Sequence, residues 1–187
     1  MIASGLTLFE TPIGLCGIAW SDGAVAGLQL PELESGPTLA RLDRRFPGFS
    51  VSEPPAWVAE ATARIATMLA GRPDDLADLP LDWARIGAFE ASVYRAARDI
   101  PPGRTLTYGE LAGRVGDVRQ ARAVGQALGR NPWPIIIPCH RVTGAGGRTG
   151  GFSASGGAAT KMRLLELEGA LDPARLPLFA APIRSGS

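Results

Sequence analysis

The sequence is poor in the residue types that build metal sites and disulfide frameworks. Its 187 residues include one histidine, His140, and two cysteines, Cys16 and Cys139. Two cysteines are too few for a disulfide framework, which favours a reduced, cytoplasmic setting. These three side chains would need carboxylates to complete a four-ligand zinc site, so we predict no metal centre.

Long hydrophobic runs are also missing. No stretch of 18 apolar residues occurs, so we predict no transmembrane helix and no membrane partner. The first ten residues have no basic start and contain an early acid, so we expect no signal peptide. With 45% hydrophobic and 20% charged residues, the composition is typical of a globular protein that buries a core as one or two domains.

Charge is distributed unevenly along the chain. Residues 1–84 contain 5 basic and 11 acidic residues, a net of −6, whereas residues 85–170 contain 12 basic and 6 acidic residues, a net of +6. A basic half that is nearly all arginine suggests a polyanionic partner for that half. Two ordinary solvated faces that differ in charge would give the same counts.

The first part of the chain is predicted to contain strands followed by a helix. Apolar runs at 6–9, 15–20 and 25–30 predict three strands, and Asp22-Gly23 suits a tight hairpin between the second and third. Helical periodicity predicts a helix at 57–69, ended by Gly71 and Pro73. Residues 74–84 are expected to form a linker with a short strand near 79–81.

The second part is predicted to be mainly helical. Apolar spacing indicates a helix at 89–100, and Thr107 is a good N-cap for a helix reaching Val115. A turn at Gly116 precedes a further helix at 119–128, so the pair resembles a helix-turn-helix. A glycine-rich loop at 144–157 and a helix at 160–168 follow, and we expect a loosely ordered tail at 171–187.

The sharpest chemical feature is the sequence Pro138-Cys139-His140-Arg141. It follows the apolar run 135–137, which predicts a buried strand that delivers a thiol and an imidazole to its end. A free thiol has a pKa of about 8.5, and a neighbouring base or cation lowers it. Neighbours on a strand point to opposite faces, so His140 would need a turn or a bridging water to act on Cys139. A buried structural cysteine beside a solvated histidine is the alternative.

Motifs on both sides of this segment occur in a recognisable order. They occupy residues 107–112, 121–125, 129–132, 137–142, 156–157, 161 and 164–169. In this order they resemble the O6-alkylguanine-DNA alkyltransferases, also called methylated-DNA–protein-cysteine methyltransferases. The resemblance covers about 89–169, whereas the first 84 residues are similar only in their order of strands and helix.

The resemblance implies a catalytic group of four residues. Cys139 would accept an alkyl group irreversibly from guanine O6, and His140 would take the thiol proton through a water. Glu168 would orient and charge-balance His140, as the acid does in a hydrolase triad. Asn131 would hold the segments around the site by side-chain hydrogen bonds to the backbone. No cofactor is implied.

The resemblance also implies that the target nucleotide rotates out of the duplex. Arg122 would fill the gap in the base stack, and Tyr108 would press on the neighbouring phosphate. A phosphate contact for Arg122 and core packing for Tyr108 are the alternatives. The second helix would lie in the minor groove or, alternatively, pack closely on another helix; the residues expected to contact DNA are Tyr108, Ala121, Arg122, Ala123, Gly125 and Arg130.

The lesion pocket departs from the family pattern at one position. Family members commonly have a tyrosine before the glycine pair that precedes the last helix, where this chain has Phe152 and a slightly longer segment. Phe152 can stack on a base but has no hydroxyl, so the donor to O6 would be Ser153, Ser155 or a backbone amide of the loop. Tyr108 and Val142 complete the expected pocket.

The predicted fold class is α+β. Residues 1–84 would form a small mixed domain resembling a ribonuclease-H-like sheet, 85–170 a helical DNA-binding and transfer domain with a helix-turn-helix, and 171–187 a tail. The predicted function is stoichiometric repair of O6-alkylguanine in double-stranded DNA by a monomer. The alternatives are a non-catalytic sensor of alkylated DNA, a helix-turn-helix regulator and a turnover cysteine hydrolase.

Overall fold

The N-terminal part is built on a four-stranded sheet. The computed structural model describes residues 4–32, 35–147 and 157–171. Strands β1 (Gly5–Thr11), β2 (Gly14–Ser21) and β3 (Ala24–Gln29) form an antiparallel meander, and β4 (Ser50–Val51) pairs in parallel with β1. The turn between β2 and β3 has positive φ at Asp22 (53°) and Gly23 (76°), which matches the twist of a tight hairpin and confirms that prediction.

Two helices accompany this sheet. Helix α1 (Ser35–Arg45) was not predicted from the sequence, whereas α2 (Ala56–Leu69) agrees with the predicted 57–69. The strand expected near 79–81 is reduced to one bridge, between Leu81 and Val25. The adjacent Pro80 has no N–H for a ladder, although its carbonyl accepts from Val25 N at 2.8 Å.

The C-terminal part consists mainly of helices: α3 (Ala88–Arg98), α4 (Tyr108–Val115), α5 (Ala121–Gly129) and α6 (Gly157–Leu167). A short parallel pair joins β5 (Leu106–Thr107) to β6 (Val142–Thr143). Thr107 and Glu110 form a capping box at the start of α4, where each side chain bonds the other's backbone N–H. Because 118–120 forms a 3₁₀ turn, α5 begins later than the predicted 119.

The segment before Cys139 is a series of turns, so the predicted strand at 135–137 is wrong. Pro132, Pro134 and Pro138 have no backbone N–H, which leaves too few donors for a ladder. The chain folds back instead: Ile137 N donates to Trp133 O at 2.8 Å, and Ile135 has a φ of 77°. Residues Cys139–Arg141 then form one 3₁₀ turn.

The resulting fold is α+β, a small sheet with its helices joined to a helical part. One continuous hydrophobic core includes buried residues of both. Trp133 shows how they are joined, because its buried Nε1 donates to Val25 O of β3 at 2.8 Å and its ring packs against Trp83 and Tyr94. No helix in the described ranges combines the length and apolarity needed to cross a bilayer.

Candidate active site around Cys139

Cys139 lies in the 3₁₀ turn after Pro138 and is 7% exposed. Burial raises the pKa of its thiol, and the Asn131 amide and the Lys161 charge offset that effect only in part. This differs from the expectation that its neighbours would lower the pKa below the free value. The resting group is therefore a protonated thiol, which needs a base before it can act as a nucleophile.

His140 is fully buried and is held by Glu168. Its Nε2 lies 2.8 Å from Glu168 Oε1, although the two residues are 28 positions apart. Burial lowers the pKa of His140, and Glu168 opposes this shift without reversing it, so the imidazole is neutral at pH 7. A neutral imidazole is the form that can accept a proton.

The hydrogen bond to Glu168 determines which nitrogen of His140 remains available. The carboxylate can only accept, so Nε2 carries the hydrogen and Nδ1 keeps its lone pair. Nδ1 is buried and makes no hydrogen bond to any group in the described part of the protein. His140 therefore presents an unused acceptor one residue from Cys139.

Arg141 completes this arrangement, and the sequence analysis named it only as part of the Cys139 motif, without a role. Its Nε donates to Glu168 Oε2 at 2.9 Å and its Nη2 to Oε1 at 2.8 Å, while Nη1 bonds the carbonyl of Ile100. Burial opposes ionisation of Glu168, but the bonds from His140 and Arg141 outweigh it and lower its pKa to about 2. Glu168 is therefore a fixed carboxylate at neutral pH.

Asn131 braces the turns that lead to Cys139. Its Nδ2 donates to Ile137 O at 2.9 Å, and its Oδ1 accepts from Trp133 N at 3.0 Å. One side chain thus satisfies two backbone groups in the proline-rich segment, where few ladder partners exist. Asn131 therefore fixes the backbone conformation of the segment that precedes Cys139.

Lys161 is a site residue that the sequence analysis named only as part of a motif. It is the only lysine in the chain and is fully buried on α6, where its Nζ donates to Val142 O. Nζ lies 5.7 Å from the centre of the Tyr108 ring, and burial lowers its pKa to about 8. A lone lysine in a mostly apolar helix was the available signal.

Tyr108 lies between the side chains around Cys139 and helix α5. Burial and the nearby Cys139 raise the pKa of its phenol. Its ring also covers Gly125, since a β-carbon built there would stand 3.7 Å from two ring carbons. Tyr108 therefore lies at the junction of the nucleophile, Lys161 and the second helix of the helix-turn-helix.

The outer face of α5 carries four of the six residues expected to contact DNA, whereas Tyr108 lies on α4 and Arg130 follows the last residue of α5. The side chain of Arg122 is exposed and makes no hydrogen bond or ion pair with another described residue, whereas Arg119 pairs with Asp117 at 2.9 Å and Arg130 with Glu90 at 3.0 Å. Three small residues, Ala121, Ala123 and Gly125, are partly exposed on the same helix. The buried side consists of Val124, Ala127 and Leu128.

Some predicted residues cannot be placed in this geometry. Phe152, Ser153 and Ser155 lie outside the described residues, as does the tail beyond 171, whereas Val142 is buried beside Lys161. Cys16 belongs to β2, where burial raises the pKa of its thiol to about 11 and Thr11 Oγ1 lies 3.7 Å away. Its surroundings are those of a core residue.

Fold and site together define a protein that combines a helix-turn-helix with a buried cysteine nucleophile. Residues 88–170 match the family described as 6-O-methylguanine DNA methyltransferase, DNA binding domain. The methylated-DNA–protein-cysteine methyltransferase of Mycolicibacterium paratuberculosis is 36% identical over 91% of this chain and 95% of its own, and that of Methanosarcina acetivorans is 36% identical over 87% and 96%.

Solved structures agree with these sequence relatives. Mycobacterium tuberculosis OGT in complex with DNA is 34% identical and covers 92% of this chain and 97% of its own with a TM-score of 0.72. O6-methylguanine-DNA methyltransferase from Pyrococcus kodakaraensis is 28% identical, with a TM-score of 0.67 over 90% and 99%. The chain belongs to the methylated-DNA–protein-cysteine methyltransferase family.

Proposed function

We propose that this protein repairs DNA by transferring the alkyl group of O6-alkylguanine to its own Cys139. The observation that carries the proposal is the His140–Glu168 hydrogen bond of 2.8 Å beside a buried, protonated thiol. It leaves Nδ1 of His140 as the acceptor that the thiol requires. Family membership supports the same reaction.

The reaction follows from the site geometry. The thiol proton passes to Nδ1, directly or through one water, and Glu168 stabilises the resulting imidazolium. Sγ then forms a bond to the alkyl carbon as the bond from that carbon to O6 breaks, and the electron pair of the broken bond goes to O6. The restored guanine, which stays in the DNA strand, takes up a proton at N1, and this balances the proton lost by Cys139.

The product limits each molecule to one reaction. A thioether at Cys139 has no leaving group that water can displace under mild conditions, so the nucleophile is not regenerated. A cysteine hydrolase with the same three side chains would release its product and react again. A non-catalytic sensor would leave Cys139 unchanged.

Access to a buried thiol requires the nucleotide to leave the duplex stack. Arg122, exposed at the start of α5 and without an internal partner among the described residues, fills the space left in the stack. Tyr108, at the start of α4, presses on the adjacent phosphate. The small residues of α5 let this helix approach the minor groove closely.

Intact mass spectrometry after incubation with an O6-methylguanine duplex tests the proposal. We expect the mass of one methyl group per protein molecule, mapped to the peptide containing Cys139. Cys139→Ser should remove transfer and keep DNA binding. Alkylation mainly at Cys16, the other thiol of the chain, or conversion of more than one lesion to guanine per protein molecule, would contradict the mechanism.

A further inference from the structure

A cavity of about 180 Å³ lies against Cys139, between the two parts of the chain. Pro134 and Leu128 line it from the C-terminal part, and Leu28, Leu30 and Arg45 line it from the N-terminal part. An apolar cavity of about 150 Å³ can hold a benzene ring. The space beside the nucleophile is therefore much larger than a transferred methyl group needs.

Arg45 carries the unusual charge in the wall of this cavity. It is partly buried at the end of α1, where Nη1 donates to Leu28 O (3.1 Å) and Gln29 Oε1 (3.2 Å) and Nη2 donates to Pro132 O (3.2 Å). All three acceptors are neutral. These bonds use three of its five N–H groups, so two remain for another acceptor.

The other arginines of the cavity already have carboxylate partners. Arg41 pairs with Glu32 at 2.6 Å and Arg130 pairs with Glu90 at 3.0 Å. Arg45 forms no ion pair among the described residues. Burial lowers the pKa of its guanidinium and the like charge of Arg41 adds to that effect, but a guanidinium remains charged at neutral pH. The cavity therefore contains a partly buried positive charge that no carboxylate of the described residues balances.

We propose that this cavity holds the O6 substituent of the lesion and that Arg45 favours substituents ending in a carboxylate, such as carboxymethyl. The inference rests on the proposed transfer to Cys139. The methylene carbon bonds to Sγ as its bond to O6 breaks, while the carboxylate accepts hydrogen bonds from the two remaining N–H groups of Arg45. Charge-assisted pairs of this kind are the strongest that an arginine forms.

Three lesions in the same duplex test this inference: O6-methylguanine, O6-carboxymethylguanine and O6-carbamoylmethylguanine. The last two substituents have nearly the same size, but only carboxymethyl is charged. We expect Arg45 to raise the rate with the carboxymethyl lesion about tenfold relative to the rate with the carbamoylmethyl lesion, the size expected for one hydrogen bond between charged groups. The intrinsic reactivities of the two substituents differ, so the ratio of the two rates in wild-type protein is compared with the same ratio in a variant.

The variant Arg45→Gln assigns the preference to one side chain. We expect the ratio of the carboxymethyl rate to the carbamoylmethyl rate to fall about tenfold from its wild-type value, whereas Arg44→Gln, an exposed neighbour on α1, should keep the wild-type ratio. A ratio preserved in Arg45→Gln, or an equal loss of rate on all three lesions, would show that Arg45 only holds Pro132 and would overturn the inference.

The methyl lesion separates this inference from the function on which it rests. Transfer of methyl without transfer of either larger substituent would overturn the cavity assignment and leave the repair function standing. No transfer from any of the three lesions would overturn the repair function itself.

Discussion

Glu168 Oε1 accepts a hydrogen bond from His140 Nε2 at 2.8 Å, and this contact determines which imidazole nitrogen can act as a base. The same carboxylate binds Arg141 through both oxygens, so its own position is fixed by a second residue of the turn that carries Cys139. Glu168, the first residue after α6, thereby holds the side chains of His140 and Arg141, the two residues that follow Cys139.

Replacement of Glu168 by Gln should slow alkylation of Cys139 by about tenfold or more, since positioned general bases contribute factors of about 10² to 10⁴. The neutral amide retains a hydrogen bond but stabilises the imidazolium less. The measurement is the rate of methyl transfer against pH, with DNA affinity measured in parallel. Glu166→Gln is the matched control, because Glu166 is exposed and bonded to Arg163. Coincident pH profiles for wild type and Glu168→Gln would exclude a role in proton transfer.

Acid should reduce the stability that Glu168 provides. Its pKa is about 2 in the folded protein and near 4.3 when unfolded. Because the folded value is lower, the stabilisation is fully present above pH 5 and is lost as pH falls toward 2. The difference in free energy of unfolding between wild type and Glu168→Gln, from denaturant titrations, should therefore shrink from pH 5 to pH 2. A constant difference would mean that His140 and Arg141 do not bind an ionised Glu168.

Asn131→Ala should destabilise the fold and slow transfer together. It removes bonds to Ile137 O and Trp133 N, and each buried polar group left without a partner costs about 1–3 kcal/mol. Denaturant midpoints and single-turnover rates report the two effects. Gln120→Ala, which removes an exposed amide, is the control and should leave stability within about 0.5 kcal/mol of wild type. A stable variant with normal rates would show that the turns hold without Asn131.

Arg122→Ala should impair repair of duplex DNA far more than reaction with a free O6-alkylguanine base, because only the duplex requires extrusion of the nucleotide. Arg119→Ala removes one charge from the turn just before α5, where the Arg119 side chain is 88% exposed and paired with Asp117. This control variant should bind duplex DNA modestly more weakly, and by a similar factor for all sequences. The salt dependence of its DNA affinity should be smaller than that of wild type. Equal losses on both substrates for Arg122→Ala would contradict its insertion into the stack.

Local sequence signals predicted some elements well. The N-cap at Thr107 and the Asp22-Gly23 turn are short patterns whose geometry depends on neighbouring residues, and both appear where expected. Helix α1 was missed because it starts at Ser35-Gly36-Pro37 and is largely polar. Among its described side chains, only those of Thr38 and Leu42 are buried. Its stability depends on the sheet beside it, which no local pattern reveals.

The site was only partly predictable for a related reason. The resemblance identified Cys139, His140 and Glu168 as a group, but the contact between Glu168 and Arg141 spans 27 residues and depends on the fold. The strand predicted before Cys139 failed because three prolines override the β propensity of the isoleucines. The cavity wall also depends on the fold, because Arg45 bonds the carbonyl of Pro132, which lies 87 positions later in the chain.

The burial of Lys161 has a practical consequence for chemical labelling. It carries the only side-chain amine of the chain, and that amine is enclosed next to Tyr108 and Val142. An amine-reactive reagent can reach it only when the region around the nucleophile opens. The rate of acylation of this one side chain therefore measures, without any introduced probe, how often the repair site of the folded protein opens to solvent.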